Sequence, residues 1–391
     1  MKKTKICLSR IEFISVIGIF VFTFYIFFEE ANAASVVSGR FPVQYNGIEA
    51  EFPYCSNYSI YSPNSNFKRL IISIHGDDPI AQTYLESAKI AAKMKNAESE
   101  TLIIAPQFLE DDEFNEPIPA NLLYWENSAE NWGSQLAFKG PEMLPVKIST
   151  FAIIDMLLKH VIDSSLFPNI KTVILIGNSA GGQKVNRYAA TNIFETDMAS
   201  RKDFVMKYLV MAPSSYLYLN NERVKETSFD QFEVPSGSYL GECLNYNNYG
   251  YGLDNLYEYH TIQNGIDPDR IRSQYKYRNV LYLVGSNDTD TNDPTLSTTC
   301  QSNLQGSQRL ERANIFYNYL KHYYGPQIMS NHRYVIVQGV GHNGRDLMTS
   351  EKALEFIFSD RDTVLWDIDI NEKWSLPDII YGLQVLTGIR K

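Results

Sequence analysis

Positive charge and histidine are both scarce in this sequence. The 391 residues include 35 Lys and Arg against 45 Asp and Glu, which gives a formal net charge of −10. Proteins that bind nucleic acid neutralise phosphates with a basic surface, so this balance argues against a nucleic-acid partner. The chain also has only 6 histidines. Any chemistry that needs an imidazole must therefore use one of a few positions.

Long apolar runs are absent except at the N-terminus. Residues 14–28 are largely apolar, follow a segment with several lysines, and precede Ala31-Asn32-Ala33. This order is typical of a secretory signal peptide over residues 1–33, which predicts a secreted or periplasmic protein that begins near Ala34. Because the apolar run is long for a signal, an uncleaved anchor is the alternative.

Cysteine is also rare, and no CxxC pair or Cys/His cluster suggests zinc. Of the 4 cysteines, Cys7 belongs to the segment expected to be removed, which leaves Cys55, Cys243 and Cys300. An odd number in an oxidising compartment predicts one disulfide and one free thiol. We favour a bond between Cys243 and Cys300, since both lie in loop-rich segments, but the sequence leaves the pairing open.

The remaining chain alternates apolar strands with amphipathic helices. We predict strands at residues 69–75, 101–105, 173–176, 208–212, 280–284 and 333–337, and helices at 80–95, 148–162, 183–191, 309–324 and 350–358. This alternation predicts an α/β domain over residues 34–360 with a doubly wound, mostly parallel sheet. Residues 41–62 are expected to form antiparallel edge strands, and residues 106–147 a long loop with Trp125 and Trp132. Residues 213–278, rich in Tyr, Asn and Gly, are expected to form an insertion that acts as a lid or a substrate wall.

The most informative stretch is Gly177-Asn178-Ser179-Ala180-Gly181, which matches G-x-S-x-G. It follows a buried strand and opens a helix, and this context is typical of a nucleophile elbow. The sharp turn strains the serine backbone and needs small neighbours, which the two glycines provide. A glycine-rich turn with an incidental serine is the alternative interpretation.

A serine hydroxyl needs a base, and the base needs an orienting carboxylate. Asp288 follows the predicted strand at 280–284, and His342 follows the last strand. Asp290 and Asp293 lie close to Asp288 and are alternatives for the acid, although ordinary turn chemistry explains both. The other histidines lack a matching position: His160 and His322 lie on predicted helices, and His260 and His332 do not follow a strand end.

An oxyanion hole is expected to use one N–H from the elbow and one from the loop after the first core strand. Backbone N–H groups of Ala180 and Asp77 are the candidates for an oxyanion hole. His75, just before this loop, is expected to be structural and to hold the loop by a hydrogen bond.

These motifs (His75-Gly76, the Ser179 elbow, Gly285 to Asp288, and Gly-His342) resemble those of the α/β-hydrolase superfamily over about residues 40–360. The resemblance implies a serine hydrolase, most often a carboxylic ester hydrolase that works through a Ser-His-Asp triad without an organic cofactor. It leaves open the substrate, which is an ester-type small molecule or a polymer. The segment 306–312 resembles a subgroup of uncharacterised secreted hydrolases.

Residues 361–391 resemble half of a dockerin-type EF-hand repeat. Oxygen ligands have the spacing of a twelve-residue calcium loop at Asp367, Asp369, Asn371, the Lys373 carbonyl, Ser375 and Asp378. Glu372 stands where the EF-hand turn needs glycine, and there is a single copy, so a remnant that packs as a helical tail is the alternative. Bound calcium would be structural, and the tail is a candidate site for a protein partner.

The sequence therefore predicts a secreted serine hydrolase of the carboxylesterase or lipase type. Two alternatives remain open. The first is a non-catalytic scaffold that binds partners through its tyrosine-rich insertion and a calcium-dependent tail. The second is an acyltransferase, which uses the same catalytic groups with a different acyl acceptor.

Overall fold

The computed structural model of the chain describes residues 37–110, 118–126, 137–140, 142–198 and 205–359. The expected signal peptide, Trp132 and the expected calcium loop all lie outside these residues. Over the described ranges, no helix is both long enough and apolar enough to cross a membrane.

Most of the strands belong to one large sheet. The strands are β1 (Val37–Tyr45), β2 (Ile48–Ser56), β3 (Arg69–Ile74), β4 (Thr101–Pro106), β5 (Leu123–Trp125), β6 (Ala137–Lys139), β7 (Glu142–Met143), β8 (Thr172–Asn178), β9 (Val205–Met211), β10 (Arg223–Val224), β11 (Phe232–Glu233), β12 (Val280–Gly285) and β13 (His332–Val337). Eight of them form the central sheet in the order β1-β2-β4-β3-β8-β9-β12-β13. β1 and β2 pair antiparallel with their neighbours, and the other pairings are parallel. The predicted mixed α/β architecture with a mostly parallel sheet is confirmed.

Most helices lie between strands in the chain, as the alternation predicted, and the last two follow the final strand. They are α1 (Ala81–Met94), α2 (Thr150–Asp163), α3 (Ala180–Thr191), α4 (Phe194–Met198), α5 (Gly237–Leu240), α6 (Pro268–Tyr275), α7 (Cys300–Asn303), α8 (Arg309–Tyr324), α9 (Gly344–Met348) and α10 (Glu351–Phe358). The described residues also contain two short 3₁₀ segments (Glu98–Glu100 and Pro326–Ser330) and a π-helical turn (Tyr259–Gln263).

Burial explains why the central strands read as continuous apolar runs. Every residue of β3, β4 and β12 is buried, as expected for parallel strands covered on both faces. The edge strand β13 is mostly half-buried. At the other edge, Asn46 and Gly47 both have positive φ (47° and 81°) and connect β1 to β2 in the tight hairpin that an Asn-Gly pair favours.

The prediction of one long loop at residues 106–147 is partly wrong. Within the described residues, β5, β6 and β7 pair into a small three-stranded sheet. Trp125 is buried there, and its indole N–H donates to the Ile148 carbonyl at 2.8 Å. Strands of two or three residues are too short to show an alternating pattern, so the sequence could not indicate them.

The order of the strands determines where a site can form. From β3 the chain moves to β4 on one side and then to β8 on the other, so the loops that follow β3 and β8 are adjacent. A reversal of this kind opens a crevice at the carboxyl ends of the strands. The loops after β12 and β13 leave from the same edge, because those strands are parallel to β8.

Candidate active site

The turn between β8 and α3 holds Ser179 in a strained conformation. Its φ of 56° and ψ of −120° lie in a region that non-glycine residues rarely occupy. The neighbouring glycines are required by space: a Cβ on Gly177 would lie 2.2 Å from the Gly181 carbonyl oxygen, and one on Gly181 would lie 2.4 Å from that of His75. The Ser179 N–H donates to the Met211 carbonyl at 3.0 Å. These contacts fix the serine at the carboxyl edge of the sheet.

Asp288 and His342 come together from two neighbouring strands. Oδ2 of Asp288, after β12, lies 2.8 Å from Nδ1 of His342, after β13. Asp288 is 4% exposed. Because an ionised carboxylate can only accept, Nδ1 of His342 carries the proton and Nε2 remains available as an acceptor.

The two loops are also bonded to each other through the backbone. The Asn287 N–H donates to the Val340 carbonyl at 2.9 Å, and the Asn287 side chain donates to the Gly339 carbonyl at 3.1 Å. A Cβ on Gly285 would lie 2.1 Å from the Val340 oxygen, so this close approach requires glycine. The acid and the imidazole are therefore held by one rigid pair of loops.

The alternative acids have other partners. Oδ1 of Asp290 accepts the Asn292 N–H at 2.8 Å, as in an ordinary turn. Asp293 lies 3.1 Å from the Arg309 guanidinium. Burial alone would raise the pKa of Asp293, but hydrogen bonds from the Thr295 hydroxyl and N–H, together with Arg309, lower it to about 2. Of the three aspartates, Asp288 is the one that contacts the imidazole.

Ser179 and His342 line the same cleft, which has a volume of about 470 Å³. Its walls come from the loop after β3, α1, the elbow, Thr295 and the start of α9. Among the described residues no hydrogen bond joins the Ser179 hydroxyl to the His342 ring. Such bonds are often long or poorly aligned before substrate binds.

Of the two expected oxyanion donors, Asp77 lines this cleft, and Ala180 directly follows Ser179, which lines it. Ala180 is the first residue of α3, so its N–H has no acceptor within the helix. Asp77 lines the cleft from the loop after β3. The two loops approach closely, because a Cβ on Gly76 would lie 3.6 Å from Cβ of Ser179.

His75 has the structural position expected from the sequence. Its Nε2 accepts the Phe108 N–H at 2.9 Å, so its Nδ1 carries the proton and donates to the Gly76 carbonyl at 2.8 Å. Burial and the nearby charge of Lys184 lower the pKa of His75 to about 3. A neutral ring that is bonded on both sides holds the loop rather than moving protons.

The remaining histidines do not line this cleft. His160 lies on α2 and contacts the Ile60 carbonyl, and His322 lies on α8 beside Glu222. His260 and His332 are completely buried, and burial lowers their pKa values to about 3 and about 4.

The disulfide between Cys243 and Cys300 is confirmed, and it joins the 213–278 segment to α7. The free thiol expected at Cys55 is wrong: Cys55 is also disulfide-bonded, and no described cysteine is free. The expectation rested on an odd count of cysteines after residues 1–33. No residue of 213–278, a segment described throughout, lines the Ser179 cleft, and the lid function stays a prediction.

Several residues at the cleft were not found by sequence reasoning. Tyr84 of α1 lines it, and its hydroxyl lies 2.7 Å from the position that a Gly76 Cβ would take. Burial raises the pKa of Tyr84, so its hydroxyl remains neutral. Asn178 also lines the cleft, and its side-chain oxygen is buried without a hydrogen-bond partner. Only the position of Asn178 inside the elbow motif could have indicated that it lines the cleft.

The fold resembles those of solved structures, whereas two comparisons by sequence found no match. No protein-family model matches the chain, and no curated protein sequence matches it. Among solved structures, the chain resembles LpqC, a poly(3-hydroxybutyrate) depolymerase from Bordetella parapertussis, with a TM-score of 0.53 and 20% identity over 83% of this chain and 91% of that one. It also resembles poly(aspartic acid) hydrolase-1 from Sphingomonas sp. KT-1, with a TM-score of 0.50 and 18% identity over 82% of this chain and 98% of that one. At these identities the likeness establishes the fold alone, and that fold is the α/β-hydrolase fold.

Proposed function

We propose that the protein is a serine hydrolase that cleaves carboxylic esters through Ser179, His342 and Asp288. The observation that carries the proposal is the 2.8 Å contact between Asp288 and His342, at a cleft that also contains the strained Ser179. This pair fixes the imidazole tautomer that a general base requires.

In the proposed reaction, the Ser179 hydroxyl attacks the ester carbonyl while Nε2 of His342 takes its proton. The N–H groups of Ala180 and Asp77 stabilise the negative oxygen of the tetrahedral intermediate, each contributing roughly 10²–10³-fold. His342 then gives the proton to the leaving alcohol, and the acyl group remains on Ser179. A water molecule then attacks the acyl carbonyl while His342 takes its proton. His342 returns the proton to Ser179, and the carboxylic acid product is released.

The identity of the ester is a separate part of the proposal. The two solved relatives act on polymers, a polyester and a poly(amino acid), according to their names. A substrate panel should therefore contain nitrophenyl esters of increasing acyl length, poly(3-hydroxybutyrate) and poly(aspartic acid). Secretion and structural calcium binding in the tail stay predictions from residues 1–33 and 367–378.

The test uses a fluorescent fluorophosphonate and the ester panel on the wild type, Ser179→Ala and a matched control, Ser273→Ala. Ser273 lies on the exposed face of α6, where its hydroxyl bonds the Arg270 carbonyl. We expect labelling and hydrolysis in the wild type and the control, and neither in Ser179→Ala. Equal labelling of all three proteins, or of none, would overturn the proposal and favour a binding scaffold. Faster product formation with an added alcohol acceptor would identify acyl transfer.

A further inference from the structure

Arg309, the first residue of α8, lies between two carboxylates behind the Asp288–His342 pair. Its Nη1 is 3.5 Å from Oδ1 of Asp288 and 3.1 Å from Oδ2 of Asp293. The side chain is 1% exposed. A guanidinium with so little access to water interacts strongly with both neighbouring charges.

The two oxygens of Asp288 therefore face two different cations or donors. Oδ2 contacts Nδ1 of His342, and Oδ1 faces Arg309. The start of α8 also bonds the backbone of the acid, because the Leu310 N–H donates to the Asp288 carbonyl at 3.2 Å. Rotation of the carboxylate away from His342 would break the contact with Arg309 as well.

A second set of contacts connects Arg309 to the cleft. Its Nη2 donates to the Thr295 hydroxyl at 2.8 Å. The Thr295 hydroxyl and N–H each donate to Oδ1 of Asp293 at 2.7 Å. Thr295 itself lines the cleft that contains Ser179. Arg309, Asp293 and Thr295 thus form a hydrogen-bonded support for the loop that carries the acid, and within it Arg309 is buried.

We propose that Arg309 is a positioning residue for the catalytic acid, and that Asp293 balances its charge. The inference rests on the proposed function, since it assigns Arg309 a part in the same triad. Arg309 fixes the Asp288 carboxylate, and its positive charge opposes the extra positive charge that forms on His342 during the reaction. Asp293 limits this opposition, so the Arg309–Asp293 pair sets how readily His342 becomes protonated.

The other charged groups around the pair stay unchanged in the test. Asp77 and Asp78 face the cleft from the loop after β3, and Arg345 and Asp346 face it from α9. Asp290 lies in the acid loop, and Tyr216 is close enough to Asp288 to interact with its charge. The buried Arg312, also on α8, interacts with the charge of Arg309. A shift that differs in sign between two single-charge variants therefore reports on Arg309 and Asp293.

The experiment measures kcat/KM against pH for the wild type, Arg309→Met, Arg309→Lys and Asp293→Asn. Removing the cation favours the imidazolium, so in Arg309→Met the acid limb should move to higher pH by about half a unit or more. Removing the balancing anion disfavours the imidazolium, so in Asp293→Asn the limb should move to lower pH. Arg309→Lys keeps the charge but loses the planar fork, so kcat/KM should fall up to about 100-fold with an unmoved limb.

A second readout does not depend on turnover. The same three substitutions are introduced into Ser179→Ala, and the His342 ring is titrated by NMR, with His342→Gln used to assign its resonance. Opposite shifts in Arg309→Met and Asp293→Asn support the inference even if the wild type hydrolyses no ester, in which case the proposed function alone fails. No shift, or shifts in the same direction, in both readouts would overturn the inference. A purely structural role would lower stability but would not shift the His342 titration in opposite directions in the two variants.

Discussion

Asp288 and His342 are 54 positions apart in the chain, yet their side chains meet at 2.8 Å. The contact forms because each residue follows a strand of the same parallel pair, β12 and β13, at the same edge of the sheet. Their loops are bonded together, so the contact does not depend on side-chain packing alone.

This contact predicts that Asp288→Asn has a far larger effect than changes at its neighbours. The amide cannot hold the imidazole in the required tautomer, so kcat should fall about 10⁴-fold on a nitrophenyl ester. Asp290→Asn is the matched control, because Asp290 only accepts a turn N–H from Asn292. Its activity should stay within about twofold of wild type. Similar losses in the two variants would mean that Asp288 is not the acid.

The packing of the elbow predicts that Gly181→Ala is strongly damaging. The new Cβ would lie 2.4 Å from the His75 oxygen and 2.5 Å from the Ile74 oxygen, both of them backbone atoms that cannot swing away. Relief requires β3 and α3 to separate, and we expect a loss of about 1–3 kcal/mol in the free energy of unfolding, with reduced fluorophosphonate labelling.

Gly341→Ala provides the steric control for that experiment. The nearest atom to a Cβ there is the Asn287 oxygen at 4.0 Å, so the methyl group fits. Urea unfolding should place this variant within about 0.5 kcal/mol of wild type. Equal stability of Gly181→Ala and Gly341→Ala would contradict the proposed close contact of β3 with the elbow.

The disulfide predicts a third effect, on stability. Cys243 and Cys300 close a loop with a sequence separation of 57. Replacing both with alanine should lower the free energy of unfolding by about 2–4 kcal/mol, mainly by freeing the unfolded chain. Alanine suits this position because Cys243 packs in a small apolar cluster with Tyr246 and Leu304. If the wild type and the double alanine variant had the same unfolding midpoint in urea, both with and without reductant, the result would argue against the bond.

The sequence indicated those parts of the site that depend on local pattern. The apolar strand, the glycine pair and the helix around Ser179 are contiguous, so one stretch was sufficient to predict the elbow. Asp288 and His342 each follow a buried strand, and parallel strands bring such positions to one edge. The mostly parallel sheet followed from the same alternation.

Other parts depend on contacts that no local pattern records. Choosing Asp288 over Asp293 requires knowing that Asp288 contacts the His342 ring, because Arg309, on the next long helix, lies near both aspartates. α9 has five residues and β5 has three, which is too short for a periodic signal. Tyr84 looks like any other amphipathic helix residue until β3 places its loop beside it.

The last prediction concerns a buried imidazole outside the cleft. Nε2 of His332 donates to the Tyr275 carbonyl at 2.7 Å, so its Nδ1 accepts the Tyr282 hydroxyl proton at 2.9 Å. The Tyr275 hydroxyl in turn donates to that of Tyr282 at 2.6 Å and accepts from Asn186 at 2.8 Å. This series of hydrogen bonds connects α3, α6, β12 and β13, and it forms only while His332 is neutral.

Protonation of His332 should therefore destabilise the fold. Burial lowers its pKa from 6.5 to about 4. Because the unfolded chain takes up the proton first, the stabilising contribution is complete above pH 6.5 and is lost as the pH falls towards 4. The slope per such group approaches about 1.4 kcal/mol per pH unit. His75 and His260, with pKa values of about 3, act in the same direction.

Asp155 acts in the opposite direction and supplies the control. Burial raises its pKa from 3.8 to about 7, against the hydrogen bonds it accepts from Tyr188 and Tyr259, so the folded state holds a proton that the unfolded state has lost. Its contribution is therefore present at low pH and is lost as the pH rises towards 7.

Urea unfolding measured from about pH 4.5 to about pH 7.5 should show a net loss of stability on acidification. The slope of the free energy of unfolding against pH should fall by about one proton equivalent in His332→Gln and rise by about one proton equivalent in Asp155→Asn. Parallel curves for both variants would mean that neither group changes its protonation on unfolding.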